Sequence, residues 1–330
     1  MPVPESILYL TESDVQQALT MAEAVDLAEL GIRADAEGQV AGNKFYMDVA
    51  PAGFVKPFSG YMQGEELAFV KTFSYFPGNP ERFGALTTSS MVLLFDAETG
   101  LPACLMEGGY VTALKTGASS AVTAAHLALP GAEVVTIFGA GTLGRMHLRA
   151  LRHRFNLRQA NVIDILPGAA VACAEELAPE VGFPIEPVPL AEREQAVRAS
   201  DILFTVTTGD QPLVEREWLK PGVFVGRLGS YQEIALEVLT GADKVVVDSW
   251  RYVRPRIPEL GMLAEAGKFG PEDVHAEWPD IVAGRKPGRE SPKEVIIYLA
   301  LGIWGEYAAI LPEVYRRAVL LGLGQRLPRT

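Results

Sequence analysis

Three glycines near the middle of the chain have the spacing of a phosphate-binding loop. They follow the apolar, β-branched run Val134–Phe138 as Gly139, Gly141 and Gly144, in the pattern G-x-G-x-x-G. The first glycine allows a tight turn, the second lets the backbone approach a pyrophosphate, and the third lets a helix pack closely on the strand. The pattern predicts a buried strand, a dinucleotide-binding loop and a helix.

The residues around this loop add detail to the prediction. Thr142 and Leu143 would form the first helical turn, whose N-terminus faces the anion. Asp164 lies about 20 residues beyond the last glycine, where a carboxylate can accept hydrogen bonds from the hydroxyls of an adenine ribose and would repel a 2′-phosphate. These features favour NAD over NADP. The alternative is a glycine-rich turn in an α/β protein that binds no nucleotide.

The segments around the loop alternate between strand and helix patterns. From the strand at 134–138 to the strand at 244–248, this alternation predicts a parallel sheet with right-handed crossovers. Thr207 ends one predicted strand at the carboxyl edge, where open α/β sheets bind ligands, and is a candidate cofactor contact. Residues 250–292 are predicted to be an irregular, exposed connection, and 293–302 and 304–321 are predicted to be helices.

The N-terminal third of the chain has a different pattern. After a helical segment at 11–37, short strands broken by Gly and Pro predict an antiparallel sheet between about residues 43 and 106. Lys71 ends the apolar run that begins at Ala68, and a lysine there is costly to bury without an anion. Lys71 is therefore either a ligand-binding cation or an exposed residue.

Composition excludes several classes of function. The 330 residues carry a formal charge of −12, which disfavours nucleic acid as a partner. Two cysteines cannot build a disulfide framework, no secretion signal or membrane-spanning run is present, and the four histidines lack metal-ligand spacing. The sequence predicts a cytoplasmic protein with no metal and no membrane partner.

Several motifs together resemble the ornithine cyclodeaminase/mu-crystallin family from about residue 40 to the C-terminus. The motifs are Phe69-Val-Lys71 with Pro77-Gly-Asn79, Phe95-Asp-Ala-Glu-Thr-Gly100, Val111-Thr-Ala-Leu-Lys-Thr-Gly-Ala118, Leu219-Lys-Pro-Gly222 and Gly284-Arg-Lys-Pro-Gly-Arg289. The resemblance implies an NAD(H)- or NADP(H)-dependent enzyme that acts on the C–N bond of an amino or imino acid. It also implies a homodimer paired through the antiparallel-sheet domain.

The resemblance also implies a domain organisation. Residues 1–115 and 305–330 would form a discontinuous α+β domain for substrate binding and dimerisation. Residues 116–304 would form a Rossmann-type, doubly wound NAD-binding domain.

Site roles follow from the resemblance one residue at a time. Lys71 matches the lysine that meets the substrate, and Lys44 lies near the arginine that usually grips its carboxylate. Thr87 falls at a cofactor-contacting position. Lys115 replaces an arginine, which weakens bidentate recognition of a substrate carboxylate or a cofactor phosphate to a point charge.

A departure from the family pattern bears on the reaction. Where cyclodeaminases place a catalytic aspartate, this chain has Tyr231 after Gly229, itself a candidate cofactor contact. Because tyrosine is a poor base, we favour an NAD(H)-dependent imine reductase or amino-acid dehydrogenase, in which Tyr231 donates a proton or hydrogen bond. Glu233 could restore the acid–base role, and an ornithine cyclodeaminase-type ammonia lyase therefore stays open.

Two other functions are alternatives to this reaction. The missing aspartate and the altered arginine would suit a non-catalytic protein that retains cofactor and binds a ligand. A hydroxy-acid dehydrogenase is disfavoured, because no histidine lies in a matching catalytic position.

Overall fold

Two β-sheets organise the protein, and each belongs to its own unit of the chain. The computed structural model describes residues 6–49 and 52–328. Unit 1 comprises the residues up to Lys115 and those from Trp304 onward, and unit 2 comprises Thr116–Ile303. Within the described ranges, no helix is both long enough and apolar enough to cross a bilayer.

The N-terminal part of the chain supplies most of unit 1. Its elements are β1 (Ser6–Leu10), α1 (Glu12–Ala18), α2 (Met21–Ala36), β2 (Val40–Lys44), β3 (Met47–Val49), β4 (Gly53–Met62), β5 (Leu67–Tyr75), α3 (Asn79–Phe83), β6 (Thr88–Asp96), β7 (Pro102–Glu107) and α4 (Gly109–Leu127). Capping boxes at Thr11 and Thr20 start the first two helices, because each threonine side chain accepts a hydrogen bond from a backbone N–H of its first turn.

Unit 2 alternates strands with helices. Its elements after α4 are β8 (Val134–Phe138), α5 (Thr142–Leu151), β9 (Gln159–Ile163), α6 (Pro167–Val181), β10 (Ile185–Pro187), α7 (Arg193–Ala199), β11 (Ile202–Thr205), β12 (Phe224–Arg227), α8 (Leu236–Thr240), β13 (Lys244–Val247), α9 (Trp250–Val253), α10 (Pro258–Glu265), β14 (Ala276–Glu277), α11 (Trp278–Val282) and β15 (Ile296–Leu299). The chain then returns to unit 1 with α12 (Gly305–Leu321) and β16 (Gln325–Pro328).

The sheet of unit 1 is mostly antiparallel. Among the described strands its order is β16-β1-β7-β6-β5-β4-β2, with β3 also on β4. The one departure is the β1–β7 pair, which is parallel. Within the antiparallel part, Lys44 pairs with Phe58 and Phe58 pairs with Lys71, so these three residues form one row across β2, β4 and β5. Directly paired residues share a face, so the row places both lysines on one side of the sheet.

The sheet of unit 2 is parallel and doubly wound. Its described strands run β10-β9-β8-β11-β12-β15-β13-β14. The chain moves outward from β8 to β10 and then crosses to β11 on the other side of β8, which creates a topological switch point. Ligands of such sheets bind at the carboxyl ends of the strands flanking that point. The predicted α/β fold with a separate antiparallel sheet is confirmed.

Two sequence predictions in the C-terminal part were wrong. Residues 250–292 are not an exposed connection, because short helices there bury Ile257, Leu260 and Trp278. Residues 293–302 are not a helix, because Ile296–Leu299 is a strand between β12 and β13. A strand buried on both faces has a continuous apolar run, which periodicity alone cannot separate from a buried helix.

Candidate active site

The predicted glycine loop connects β8 to α5. Gly139 has φ = +106°, a conformation that side chains disfavour, and a Cβ on Gly144 would lie 2.0 Å from the carbonyl oxygen of Gly139. The loop can therefore adopt this conformation only with glycine at positions 139 and 144. Gly141 differs, because a Cβ there would meet nothing within 4 Å.

The start of α5 is suited to bind an anion. Gly141 is its N-cap and offers no side chain to the free N–H groups of the first turn. Gly141 and Thr142 are exposed, and Leu143 is partly buried. An open helix N-terminus with space in front of it fits a pyrophosphate.

Asp164 lies directly after β9 and is fixed beside this loop. Its Oδ2 accepts a hydrogen bond of 2.8 Å from the N–H of Ala140, and its Oδ1 accepts one of 2.9 Å from the N–H of Leu166. Each carboxylate oxygen has a further lone pair, which can accept from a ribose hydroxyl. Ile165 and Leu166 are exposed and apolar next to it.

Glu233 ties together the carboxyl ends of β11 and β12. Its Oε1 accepts hydrogen bonds from the backbone N–H and the hydroxyl of Thr207, both at 2.7 Å. Its Oε2 accepts from the Thr205 hydroxyl at 2.8 Å and from the N–H of Gly229 at 2.7 Å. Burial raises the pKa of Glu233, and nearby Arg227 acts in the opposite direction.

This geometry favours a positioning role for Glu233 beside the catalytic role predicted from the sequence. Its side chain is fully buried and its two oxygens already accept four hydrogen bonds within the protein. A Cβ on Gly229 would lie 2.3 Å from the Glu233 Cδ, so the glycine makes room for this carboxylate. We therefore expect Glu233 to position Thr207 and Gly229, and its predicted catalytic role stays a prediction.

A buried ion pair supports the same loop. Arg227 and Glu259 are both fully buried, with Nη2 and Oε2 3.1 Å apart. Arg227 also donates to the carbonyl oxygens of Gly229 and Tyr231, and Glu259 accepts from the N–H of Glu233. The sequence analysis missed this pair, because the partners are distant in sequence and neither belongs to a motif. Tyr231 itself is partly exposed.

In unit 1, buried lysines and aromatic rings alternate on one face of the sheet. The Nζ of Lys71 lies 5.5 Å from the ring centroid of Phe58, 5.4 Å from that of Phe73 and 5.0 Å from that of Tyr307. The Nζ of Lys44 lies 5.5 Å from the Phe58 centroid. These are cation–π distances, at which ring faces attract an ammonium.

Lys71 is the most deeply buried of these cations, at 1% exposure. In the described part of the chain, no carboxylate pairs with it. Burial, and then the charge of Lys115, lower its pKa to about 7. A group with such a pKa can donate or accept a proton near neutral pH.

Lys115 has a buried partner on α12. Its Nζ lies 3.1 Å from the Glu306 Oε2, and it also lies 4.9 Å from the Tyr307 ring. Tyr307 thus touches the ammonium groups of Lys71 and Lys115, and burial raises the pKa of its hydroxyl. Thr87 immediately precedes β6 and is partly exposed, with its carbonyl accepting from the N–H of Phe76.

Comparison with known proteins identifies the family. A sequence model of the ornithine cyclodeaminase/mu-crystallin family matches residues 6–320. The chain belongs to this family. The resemblance predicted from the motifs is confirmed.

Members of the family match along nearly the whole chain. An alanine dehydrogenase of Archaeoglobus fulgidus is 30% identical over 97% of this chain and 98% of its own length. A structure of Thermococcus litoralis Δ1-pyrroline-2-carboxylate reductase with NADH and L-proline has a TM-score of 0.92 at 30% identity, covering 97% of this chain and 99% of that chain. An archaeal alanine dehydrogenase dimer with bound NAD has a TM-score of 0.90 at 29% identity, covering 98% and 100%.

The sequence analysis missed one buried lysine of unit 1. Lys56 lies on β4, is 9% exposed, and has its Nζ 4.8 Å from the Phe58 centroid and 5.2 Å from that of Phe73. The alternation of side chains along a strand could have indicated this residue. Lys56 and Phe58 are two residues apart on one strand, so their side chains share a face. No family motif contained Lys56.

Proposed function

We propose that this chain catalyses hydride transfer between NAD(H) and the C–N bond of an amino or imino acid. It is an NAD-dependent oxidoreductase of the imine reductase or amino-acid dehydrogenase type. The observation that carries the proposal is the buried ammonium of Lys71, set among ring faces with a pKa near neutrality. The glycine loop with Asp164 supports NAD(H) as the cofactor. The names of the A. fulgidus and T. litoralis relatives support the reaction class.

Each unit has its own part in this proposal. In unit 2, Gly139, Gly141, Thr142, Leu143 and Gly144 bind the pyrophosphate at the start of α5. Asp164, Thr207 and Gly229 are the further cofactor contacts proposed in this unit. Thr87 and Lys115 are the cofactor contacts proposed in unit 1.

In unit 1, lysine side chains bind the substrate, and Lys71 donates or accepts the proton. Lys44 and Lys115 attract the substrate carboxylate, and ring faces keep water from the ammonium of Lys71. NADH held by the glycine loop and Asp164 would supply the hydride that reduces the imine. Lys71 donates a proton to the imine nitrogen, which gives the amine, and Tyr231 is a second proton or hydrogen-bond donor. In the oxidative direction neutral Lys71 accepts that proton.

The assembly and location are also part of the proposal. Unit 1 exposes large apolar side chains, including Phe45, Met47, Phe83 and Leu86. They support pairing through unit 1, and the dimer of the archaeal relative supports a homodimer. The buried free thiols of Cys104 and Cys173 support a reducing, cytoplasmic location.

The test follows NADH absorbance with a panel of substrates. The panel contains 2-oxo acids with ammonia or methylamine, cyclic imines and, with NAD, the amino acids L-alanine, L-proline and L-ornithine. We expect net NADH consumption with an imine and formation of the matching amine. Ammonia and proline from ornithine without net NADH change would show the cyclodeaminase reaction instead. Saturable NADH binding without any product would show a non-catalytic protein.

Asp164→Ala should shift the cofactor preference. Loss of the carboxylate removes the acceptor for the ribose hydroxyls and the repulsion of a 2′-phosphate. We expect the ratio of NADH to NADPH affinity to fall about tenfold or more, equivalent to ~1.4 kcal/mol. Fluorescence titration with both cofactors measures this ratio, and an unchanged ratio would remove Asp164 from the ribose site.

The direction of the pH dependence follows from Lys71. Its ammonium is the acid in imine reduction, so kcat/KM should fall as pH rises through about 7, where Lys71 loses its proton. Oxidation of the amino acid should rise over the same range, because neutral Lys71 is then the base. Lys71→Arg keeps a positive charge that cannot be lost, so its residual activity should not fall as pH rises through this range. If the activity of Lys71→Arg still falls as it does in the wild type, the titration belongs to another group.

A further inference from the structure

Lys56 holds an ammonium group at a fixed place beside Lys71. Its Nζ lies 4.8, 5.2 and 5.3 Å from the ring centroids of Phe58, Phe73 and Tyr46. An exposed lysine is free to move, whereas three ring faces and 9% exposure restrict this one. The charge of Lys56 is therefore placed in advance of any ligand.

Lys56 and Lys71 share two rings, and each also contacts a third ring that the other does not. Both Nζ atoms lie within 5.5 Å of the Phe58 and Phe73 centroids. Lys71 also contacts Tyr307, the ring that Lys115 touches, whereas Lys56 also contacts Tyr46. The face thus carries two neighbouring buried ammonium groups.

The strand register sets the separation of these positions. Lys56 pairs with Phe73, and Phe58 pairs with Lys71, so the two lysines lie in adjacent same-face rows of the β4–β5 ladder. Such rows are about 7 Å apart along a strand. Lys44, which we propose holds the first carboxylate, lies in the same row as Phe58 and Lys71. Lys56 is therefore one row away from it, a separation that suits the two carboxylates of a short dicarboxylic acid.

We infer that Lys56 binds a second carboxylate at the end of the substrate side chain. The substrate class is then a dicarboxylic imino or amino acid, with its first carboxylate held by Lys44 and Lys115 beside Lys71. A substrate with a terminal ammonium, such as ornithine, would be repelled by Lys56. The inference rests on the proposed function and adds the substrate class to it.

The test compares two substrates of equal length. 2-Oxoglutarate and 2-oxopentanoate, each with ammonia, differ in the terminal carboxylate. We expect wild-type kcat/KM to favour 2-oxoglutarate about tenfold or more, and Lys56→Met, which keeps the length but removes the charge, to lose most of that preference, chiefly through KM. Lys293→Met, a control at an exposed lysine, should keep the wild-type ratio. Equal use of both substrates by the wild type, or an unchanged ratio in Lys56→Met, would overturn the inference.

A binding measurement separates this inference from the proposed reaction. Glutarate and pentanoate are titrated calorimetrically into the wild-type protein with NADH present. Tighter binding of glutarate that is lost in Lys56→Met would support the second carboxylate site even without turnover, in which case only the proposed function fails. Turnover of imines with equal binding of the two acids would overturn the role of Lys56 and leave the function in place. If Lys56→Met does not fold, a wild-type preference for pentanoate or for neither acid still overturns the inference.

Discussion

Lys71→Met should lower kcat for imine reduction about 10³-fold, because it removes the group that protonates the imine nitrogen. Methionine has similar length and fits a face already lined by Phe58, Phe73 and Tyr307. Since burial disfavours the lysine charge, the variant should be at least as stable to heat as the wild type. NADH binding should be little changed.

Three measurements separate the chemical role of Lys71 from a structural one. Single-turnover kinetics report the hydride step, fluorescence titration reports NADH affinity, and thermal unfolding reports the fold. Lys71→Arg is the matched variant, because it keeps the charge but cannot supply a proton. It should recover some substrate affinity and little of kcat. Wild-type kcat in Lys71→Met would end the proposed role.

Gly141→Val should weaken NADH binding about tenfold or more, or ~1.4 kcal/mol, without unfolding the protein. Gly141 has φ = −76°, which valine tolerates, and its Cβ would meet no atom within 4 Å. The added side chain would instead occupy the space before the α5 N-terminus that we assign to the pyrophosphate. Calorimetric titration with NADH measures the loss, with the melting temperature as the measure of folding.

Gly144→Ala is the contrasting variant in the same loop. Its Cβ would lie 2.0 Å from the Gly139 carbonyl oxygen, so the loop must distort and the melting temperature should fall. Gly141→Val thus tests the space left for the ligand, whereas Gly144→Ala tests the close packing that the loop needs to fold. Wild-type NADH affinity in Gly141→Val would show that this loop does not hold the pyrophosphate.

Sequence patterns predicted the nucleotide-binding half in most of its elements. The glycine spacing indicated the order of strand, turn and helix, and the apolar runs indicated β8, β9 and β11, because local chain geometry dictates both. The strand β15 was missed for a physical reason. Its residues Ile296–Leu299 are buried on both faces, so they carry no alternation to distinguish strand from helix.

The candidate site was harder to predict because it depends on partners far apart in sequence. The low pKa of Lys71 arises from burial and from Lys115, and neither is visible without the packing of β5 and α4. The role of Glu233 depends on donors from two other strand ends. The position of Lys56 beside Lys71 could not be predicted without the β4–β5 register.

The close packing of Gly229 against Glu233 limits the substitutions that either position can accept. Any side chain at position 229 would overlap the carboxylate, since a Cβ there lies 2.3 Å from the Glu233 Cδ. Conversely, shortening Glu233 leaves the N–H groups of Thr207 and Gly229 without their acceptor. A lineage that places an acidic residue at position 229 must therefore lose Glu233 first or at the same time, so the two positions should change as a pair.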